Sequence, residues 1–392
     1  MSREATSAIT GLGITELSKE YTATSTALAV DAIRRALADS GLEKDDLDGL
    51  LINRSPVAIG ETLDLDLQNA AGLRDLKLLN VLEGEGSSAC QLVQLATLAV
   101  ESGMATNVAC VFADTPLTGD KSAGAAFAQA MPLTGLPEFE EAYGLFGAVS
   151  AYAITARRHM HLYRTTTEQF GAVAVSNRQW ASMNPLAQKR DPITLEDHQN
   201  SRPVVEPFRL LDCAPPINGA IAVIVSSGER ARDLQRPPVH VLGMGQGHPG
   251  NPHRAPFEDE VNTGARLAGR TAFEMAGLSV EEIGACEFYD PFTYVTLVTL
   301  EDYGFCDKGE GGPFVEEGRI APGGALPTNT GGGQLSGYYL QGMTPVSEAV
   351  IQARGDAGER QVPDNDAILV SGSGGCLDYH SSLILSPHPT AG

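Results

Sequence analysis

Apolar and polar positions follow one another in blocks along the chain, and the spacing inside each block predicts an element. Ala8–Ile14 reads as a strand carrying Gly11 and Gly13. Ser25–Ser40 reads as a helix, because Ala27, Val30, Ile33, Ala36 and Leu37 recur at helical spacing. Short apolar runs centred on Leu50–Ile52 and at Leu78–Leu82 predict strands, and the second runs into Glu-Gly-Glu-Gly-Ser-Ser. Ala89–Gly103 is strongly helical with Gly103 as its stop, and Asn107–Ala113 is a buried strand. Strands and helices therefore alternate, which predicts an α/β protein with a sheet covered by helices.

The pattern changes over roughly 115–207. This stretch is rich in Ala and Gly, then in Asn, Gln and Arg, with helical runs at Leu145–Tyr163 and Thr167–Met183. It reads as an insertion over the core. Alternation resumes with strands at Ala220–Ser226, Val239–Gly243, Glu287–Phe288, Ala367–Val370 and Ser381–Leu385, and with helices at Asn262–Ala276 and Val295–Asp302. Both parts share one plan: strand, Gly/Ser-rich turn, buried helix, strand. An internal duplication is expected, with an N-terminal half over 1–227 that includes the insertion and a C-terminal half over 228–392. The tract Lys308–Gly333 holds Gly323-Gly324 and Gly331-Gly332-Gly333. It is either a linker or a loop where backbone approaches a ligand closely.

Composition narrows the function. The 392 residues suffice for two domains, and 42% hydrophobic with 19% charged residues is globular. A net charge of −22 argues against nucleic acid as a partner. An anionic CoA ester would need local basic groups or helix N-termini. Arg254 and the Arg157-Arg158 pair are candidate phosphate contacts. No run approaches the ~20 apolar residues of a membrane helix, and Met1–Thr10 shows no signal-peptide pattern. The six cysteines form no Cys-x-x-Cys pair, so a reduced cytoplasm is the expected compartment. His240, His248 and His253 cluster loosely, but no carboxylate or cysteine shares their spacing, so no metal site is expected.

Four stretches resemble the thiolase superfamily, in its sterol-carrier-protein-x and lipid-transfer branch. They are Ala8-Ile-Thr-Gly-Leu-Gly-Ile-Thr-Glu16; Asp191-Pro-Ile-Thr-Leu-Glu-Asp197 with Ser201-Arg202 and Pro207-Phe-Arg-Leu-Leu-Asp-Cys213; Ala220-Ile-Ala-Val-Ile-Val225; and Asn329-Thr-Gly-Gly-Gly-Gln-Leu-Ser-Gly337. The resemblance implies a five-layered α-β-α-β-α fold with two similar halves and a loop insertion in the first. It also implies a homodimer.

The departures from the family carry the functional argument. Thiolases attack a thioester with a cysteine at the turn into a buried helix, whose N-terminus lowers the thiol pKa. Here that turn reads Gly84-Glu85-Gly86-Ser87-Ser88-Ala89-Cys90, and Gly86 falls on the nucleophile position. Cys90, one turn further on, reads as a small core residue. The family's Gly-His-Pro becomes Gly337-Tyr338-Tyr339-Leu340, so Tyr338 or Tyr339 replaces the catalytic histidine. The C-terminal Cys-x-Gly becomes Gly372-Ser-Gly374, with Gly375-Cys376 just after. The family's Asn-Glu-Ala-Phe or His-Asp-x-Phe becomes Tyr289-Asp290-Pro291-Phe292. Tyrosines thus stand at two positions that carry polar catalytic groups in the family. Tyr294 is a further candidate.

Acyl transfer through an enzyme thioester needs a thiol at the turn. Two phenols can instead donate to an oxyanion or move a proton. Retro-aldol cleavage of a β-hydroxyacyl-CoA needs those functions, and the resemblance is to the steroid side-chain-cleaving aldolases. It implies a 17-hydroxy steroid 22-carbon CoA ester as substrate, and a 17-ketosteroid and propionyl-CoA as products. It implies no cofactor, CoA being part of the substrate, and a small OB-fold/zinc-ribbon partner that helps form the CoA channel in a heterotetramer. Gly374 and Gly375 would bring N–H groups to the thioester oxygen. Gly86, Ser87 and His248 would line the substrate, and Asp290 would orient Tyr289 or cap the following helix. Asp212 and Arg209 read as structural. Two rivals stand beside the aldolase: a non-catalytic acyl-CoA-binding scaffold, and a thiolase using Cys90 or Cys376. Iodoacetamide separates the last: the aldolase should keep its activity after treatment, and full inactivation would point to a thiol.

Overall fold

The computed structural model describes residues 5–57, 64–119, 136–250 and 261–390. The first unit runs β1 (Ser7–Ile14), α1 (Ser25–Ser40), β2 (Gly49–Asn53), α2 (Asp64–Ala70), β3 (Leu78–Leu82), α3 (Ser88–Glu101) and β4 (Asn107–Asp114). Thr24 starts α1, its hydroxyl accepting Ala27 N–H at 3.2 Å, and Gly41 at φ +77° ends it. The insertion follows as α4 (Leu136–Ala142), α5 (Gly147–Tyr163), α6 (Thr167–Met183), α7 (Leu195–Asn200) and the short pair β5 (Pro203–Val205) and β6 (Phe208–Arg209). Next come β7 (Gly219–Ser227), α8 (Gly228–Ala231), β8 (Val239–Gly247), α9 (Ala265–Ala276), β9 (Ala285–Phe288), α10 (Thr293–Tyr303) and α11 (Gly311–Glu316). The chain closes with α12 (Met343–Ala353), β10 (Ile368–Gly374) and β11 (Tyr379–Ser386).

Among the described residues nine strands share one sheet, in the order β3-β2-β4-β7-β1-β8-β11-β10-β9. The two sides mirror each other. β1 is antiparallel to β7, β7 to β4, and β4 is parallel to β2. On the other side β8 is antiparallel to β11, β11 to β10, and β10 is parallel to β9. Only two residue pairs, Ala8 with His240 and Ile9 with Val239, join β1 to β8.

The layering follows from what each helix touches. α1 packs on β1, β7 and β4, and α9 on β8 and β11, as the two outer layers. α3 touches β4 and β7 on one side and β10 and β11 on the other; α12 likewise reaches both β7 and β9–β10. They form the middle layer of a five-layered α-β-α-β-α arrangement. The same close approach recurs in both halves. A Cβ on Gly11 or Gly13 would come within 2.4 or 2.1 Å of Ala36 O or Ala32 O in α1. One on Gly243 or Gly245 would come 2.1 Å from Ala272 O or Ala268 O in α9. The strand glycines are what let each outer helix lie flush on its sheet.

Most predicted elements appear, within a few residues. Two differences have clear causes. β8 runs on to Gly247 rather than stopping at Gly243, because its pairing with β11 continues to His380. α12 lies in a stretch read only as loop and remainder. Met343, Val346, Ala349, Val350 and Ala353 do recur at helical spacing, but they follow directly on the glycine-rich loop and Pro345 stands in the first turn, a residue that breaks a helix anywhere further in. The insertion covers the second half, with α6 packed on α10, α11 and the 333–337 turn. This burial makes every residue of α10 inaccessible. Asp212 ties the specific 191–213 string to that helix: Oδ1 bonds His198 Nε2 at 2.8 Å and accepts from Thr293 Oγ1 at 2.7 Å. Among the described residues no helix is long and apolar enough to cross a membrane.

Candidate active site

The turn into α3 is built to be approached closely. Gly84 N donates to Ser88 Oγ at 2.6 Å, Ser87 Oγ donates to Gly84 O at 2.9 Å, and Ser381 Oγ donates to Ser87 O at 2.6 Å. These bonds lock the 3₁₀ turn Glu85–Ser87 at the positive end of a 14-residue helix. Glu85 itself sits at φ +46°, a costly conformation for a non-glycine residue. Gly86 is packed tightly. A Cβ there would lie 2.2 Å from Ser373 O and 2.3 Å from Cε2 of Tyr289. The space beside Gly86 is therefore filled by the Tyr289 ring, and no side chain fits at position 86.

Tyr289 leaves the end of β9, its N–H donating to Ser371 O of the neighbouring β10 at 2.8 Å. Its hydroxyl bonds the hydroxyl of Tyr339 at 2.9 Å. Tyr339 arrives on the glycine-rich loop. Residues Gly333–Gly337 make one π-helical turn, and Tyr338 after it is extended, at φ −152° and ψ 147°. In extended chain, consecutive side chains point to opposite sides. Tyr338 accordingly enters the main hydrophobic core, where its hydroxyl bonds Ser347 Oγ of α12 at 3.0 Å, while Tyr339 faces Tyr289. The choice between the two tyrosines, open in the sequence, is thus one of alternation.

Both phenols of the pair are held above their ordinary range. Burial does this to Tyr289 first, with Tyr339 and Tyr152 adding to it. Burial also raises Tyr339, its bond to Tyr289 opposing and Glu85 reinforcing the rise. Both are therefore neutral near pH 7. Tyr152 was not singled out by sequence. It belongs to α5 of the insertion, packs at a tilt on Phe292 with ring centres 5.0 Å apart, and donates its hydroxyl to Gly375 O at 3.1 Å. Nothing in its local sequence marks it, since the fold alone brings α5 to this turn. Glu85 is the other unforeseen neighbour. Its Oε2 accepts Gly375 N–H at 3.0 Å, and burial raises its carboxyl.

The remaining predicted residues take varied places. Gly374 ends β10, where a Cβ would come 2.1 Å from Gly84 O, so it lies against the turn. Gly375 N–H is already engaged by Glu85. The Ser87 hydroxyl is spent within the turn, also accepting Gln91 Nε2 at 2.7 Å. Asp290 points into the protein and bonds Gln334 N–H and Asn177, not Tyr289. Tyr294 is fully buried against His159 and Phe170, within α10. His248 is exposed at the end of β8, bonded to Gln246 at 3.0 Å and edge-on to Tyr379. Cys90 lies in the core, where burial pushes its thiol up to about 12. Cys376 is buried near Tyr152 and Tyr294, its thiol also raised. Arg157 pairs with Glu206 at 3.2 Å. His253 and Arg254 lie outside the described residues.

This is the thiolase architecture, and the Tyr289 ring fills the space beside Gly86, the position that the motif resemblance aligns with the nucleophile. The Thiolase C-terminal domain-like family matches residues 250–387. A steroid side-chain-cleaving aldolase of Thermomonospora curvata is 37% identical over 94% of this chain and 95% of its own length. A 17-hydroxy-3-oxo-4-pregnene-20-carboxyl-CoA lyase of Mycobacterium tuberculosis is 36% identical over 94% of this chain and 96% of its own. A solved structure, the Ltp2-ChsH2(DUF35) aldolase, superimposes with a TM-score of 0.88 at 36% identity, covering 98% of each chain. The chain belongs to the thiolase superfamily, in the branch of the steroid side-chain-cleaving aldolases.

Gly86→Ala should abolish turnover and lower the melting temperature, because one clash is with backbone and the other with a buried ring. Wild-type activity in that variant would contradict the packing described here.

Proposed function

We propose that this protein is a carbon–carbon lyase that cleaves a β-hydroxyacyl-CoA by a retro-aldol reaction. The observation that carries it is the hydroxyl pair of Tyr289 and Tyr339 at 2.9 Å, set over a turn with no nucleophile. A phenol held above its ordinary pKa is a poor base alone. As a bonded pair the two can act without forming a free tyrosinate. One takes the proton of the substrate hydroxyl while passing its own to the other. The Cα–Cβ bond breaks, Cβ becomes a carbonyl, and the electron pair enters the thioester enolate. In the same relay the second phenol gives its own proton to Cα, so neither phenol ever carries two protons. Main-chain N–H groups at the start of α3, around Gly86, stabilise the enolate oxygen, aided by the helix dipole.

The relatives' names support the substrate class: a 17-hydroxy steroid 22-carbon side-chain CoA ester, giving a 17-ketosteroid and propionyl-CoA. The chemistry calls for no cofactor. The related structure is named for two proteins, Ltp2 and ChsH2(DUF35), which supports a partner protein here; a small OB-fold/zinc-ribbon partner joining a homodimer as a heterotetramer in the cytoplasm is what the family resemblance implies.

Purified protein, with and without such a partner, should release propionyl-CoA from this ester; binding without cleavage would favour a scaffold role. Tyr289→Phe and Tyr339→Phe should each cut turnover by about 10²- to 10⁴-fold, the usual worth of a proton-transfer group. Tyr338→Phe should keep turnover and lose about 1 kcal/mol of stability, the net value of one hydrogen bond. Wild-type rates in the first two variants would overturn the assignment.

A further inference from the structure

One buried carboxylate adjoins the tyrosine pair in sequence yet faces away from it. Asp290 follows Tyr289 and is wholly inaccessible. Among the described residues no ion pair joins it, and N–H donors satisfy it instead. Oδ1 accepts Gln334 N–H at 2.7 Å and Oδ2 accepts Asn177 Nδ2 at 2.5 Å. The Leu335 N–H and the Asn329 amide also favour its ionised form. Gln334 and Leu335 stand at the start of the π-turn Gly333–Gly337, whose first N–H groups lack partners within the turn. The fit is tight, for a Cβ on Gly333 would come 2.2 Å from Oδ2.

The loop needs such an anchor. Asn329, Gly332, Gly333 and Gln341 all have left-handed backbone, at φ +54°, +91°, +56° and +51°. Each non-glycine residue held there costs of order 1–3 kcal/mol. Tyr339 stands on this loop between the capped turn and Gln341, while Tyr289 is bonded to the sheet through Ser371 O.

We propose that Asp290 is the positioning residue of this site: its carboxylate caps the loop turn and so holds the Tyr339 hydroxyl at bonding distance from Tyr289. It acts through Tyr339, and therefore rests on the tyrosine assignment made above. A carboxylate suits the task because donors converge on both oxygens, and an amide would turn its own N–H toward one of them. Among the described residues Asn177 Oδ1 has no partner, so rotating that amide lets it accept from an asparagine at 290. Asp290→Asn should therefore fold, with Gln334 N–H bonded to a weaker, neutral acceptor. Asp290→Ala leaves both donors unpaired.

The test compares Asp290→Asn, Asp290→Ala and Tyr339→Phe for kcat, KM, melting temperature and pH profile. Asp290→Asn should keep the melting temperature and KM while kcat falls about tenfold, as charged acceptors bind about twice as strongly as neutral ones. Asp290→Ala should fall further. The pH profile separates positioning from mere support. Burial raises the Asp290 carboxyl to about 7. Below that pH it protonates and loses acceptor capacity, so wild-type kcat should decline from pH 8 to 6. Glu287 on β9 is the charged group that acts on it directly; Glu348 on α12, paired with Arg360, acts on Glu287, and Arg178 on α6 is bonded to Ser336 of the same turn. In Asp290→Asn the decline should vanish; a decline that persists belongs to Glu287 or Glu348 and overturns the proposal. Wild-type kcat in Asp290→Asn also overturns it. If Tyr339→Phe keeps full turnover, the tyrosine assignment falls first and this inference with it.

Discussion

The contact between the Gly86 α-carbon and the Tyr289 ring governs the rest of the site. It needs a glycine at the head of a buried helix, because a Cβ would lie 2.3 Å from the ring. It needs further glycines on the strand opposite, where a Cβ on Gly372 or Gly374 would strike the backbone of the same turn. Gly342, at the foot of α12, is under the same constraint, since a Cβ there would lie 2.1 Å from Gly86 O. Four glycines from three parts of the chain thus let a turn, a strand and a second helix meet around one aromatic ring. Covalent chemistry at position 86 and a tyrosine at 289 exclude each other by volume alone.

Electrostatics complements this packing. The chain carries a net charge of −22, and the phenols sit where burial and Glu85 oppose their ionisation. A site of this kind is suited to moving protons between neutral groups rather than to holding a thiolate. The helix N-terminus that would lower a thiol pKa is still present, and it can serve an enolate oxygen equally well.

Much of the fold was legible in the sequence because strands and outer helices carry clear periods. The α1 pattern and the buried run of β4 fall where their spacing puts them. α12 was missed although Met343, Val346, Ala349, Val350 and Ala353 recur at helical spacing, because it follows directly on the glycine-rich loop with Pro345 in its first turn. At the site, the motif positions named Tyr289 and a Tyr338/Tyr339 pair, and alternation in the extended chain separates the two. The sequence put Gly86 on the nucleophile position; the structure packs the Tyr289 ring against it. Asp290 looked like an orienting partner for Tyr289, and the fold turns it toward the Tyr339 loop instead. Tyr152 and Glu85 were out of reach, because their closeness to the pair arises from long-range packing of the insertion and from a left-handed turn that no local pattern announces.

The central claim is that carbon–carbon cleavage proceeds here without an acyl-enzyme. Intact-protein mass measurement during turnover of a 17-hydroxy steroid 22-carbon CoA ester tests it most directly, with propionyl-CoA followed in the same sample. The account predicts propionyl-CoA release from a protein whose mass never changes. A protein that gains the mass of an acyl group during turnover would contradict it.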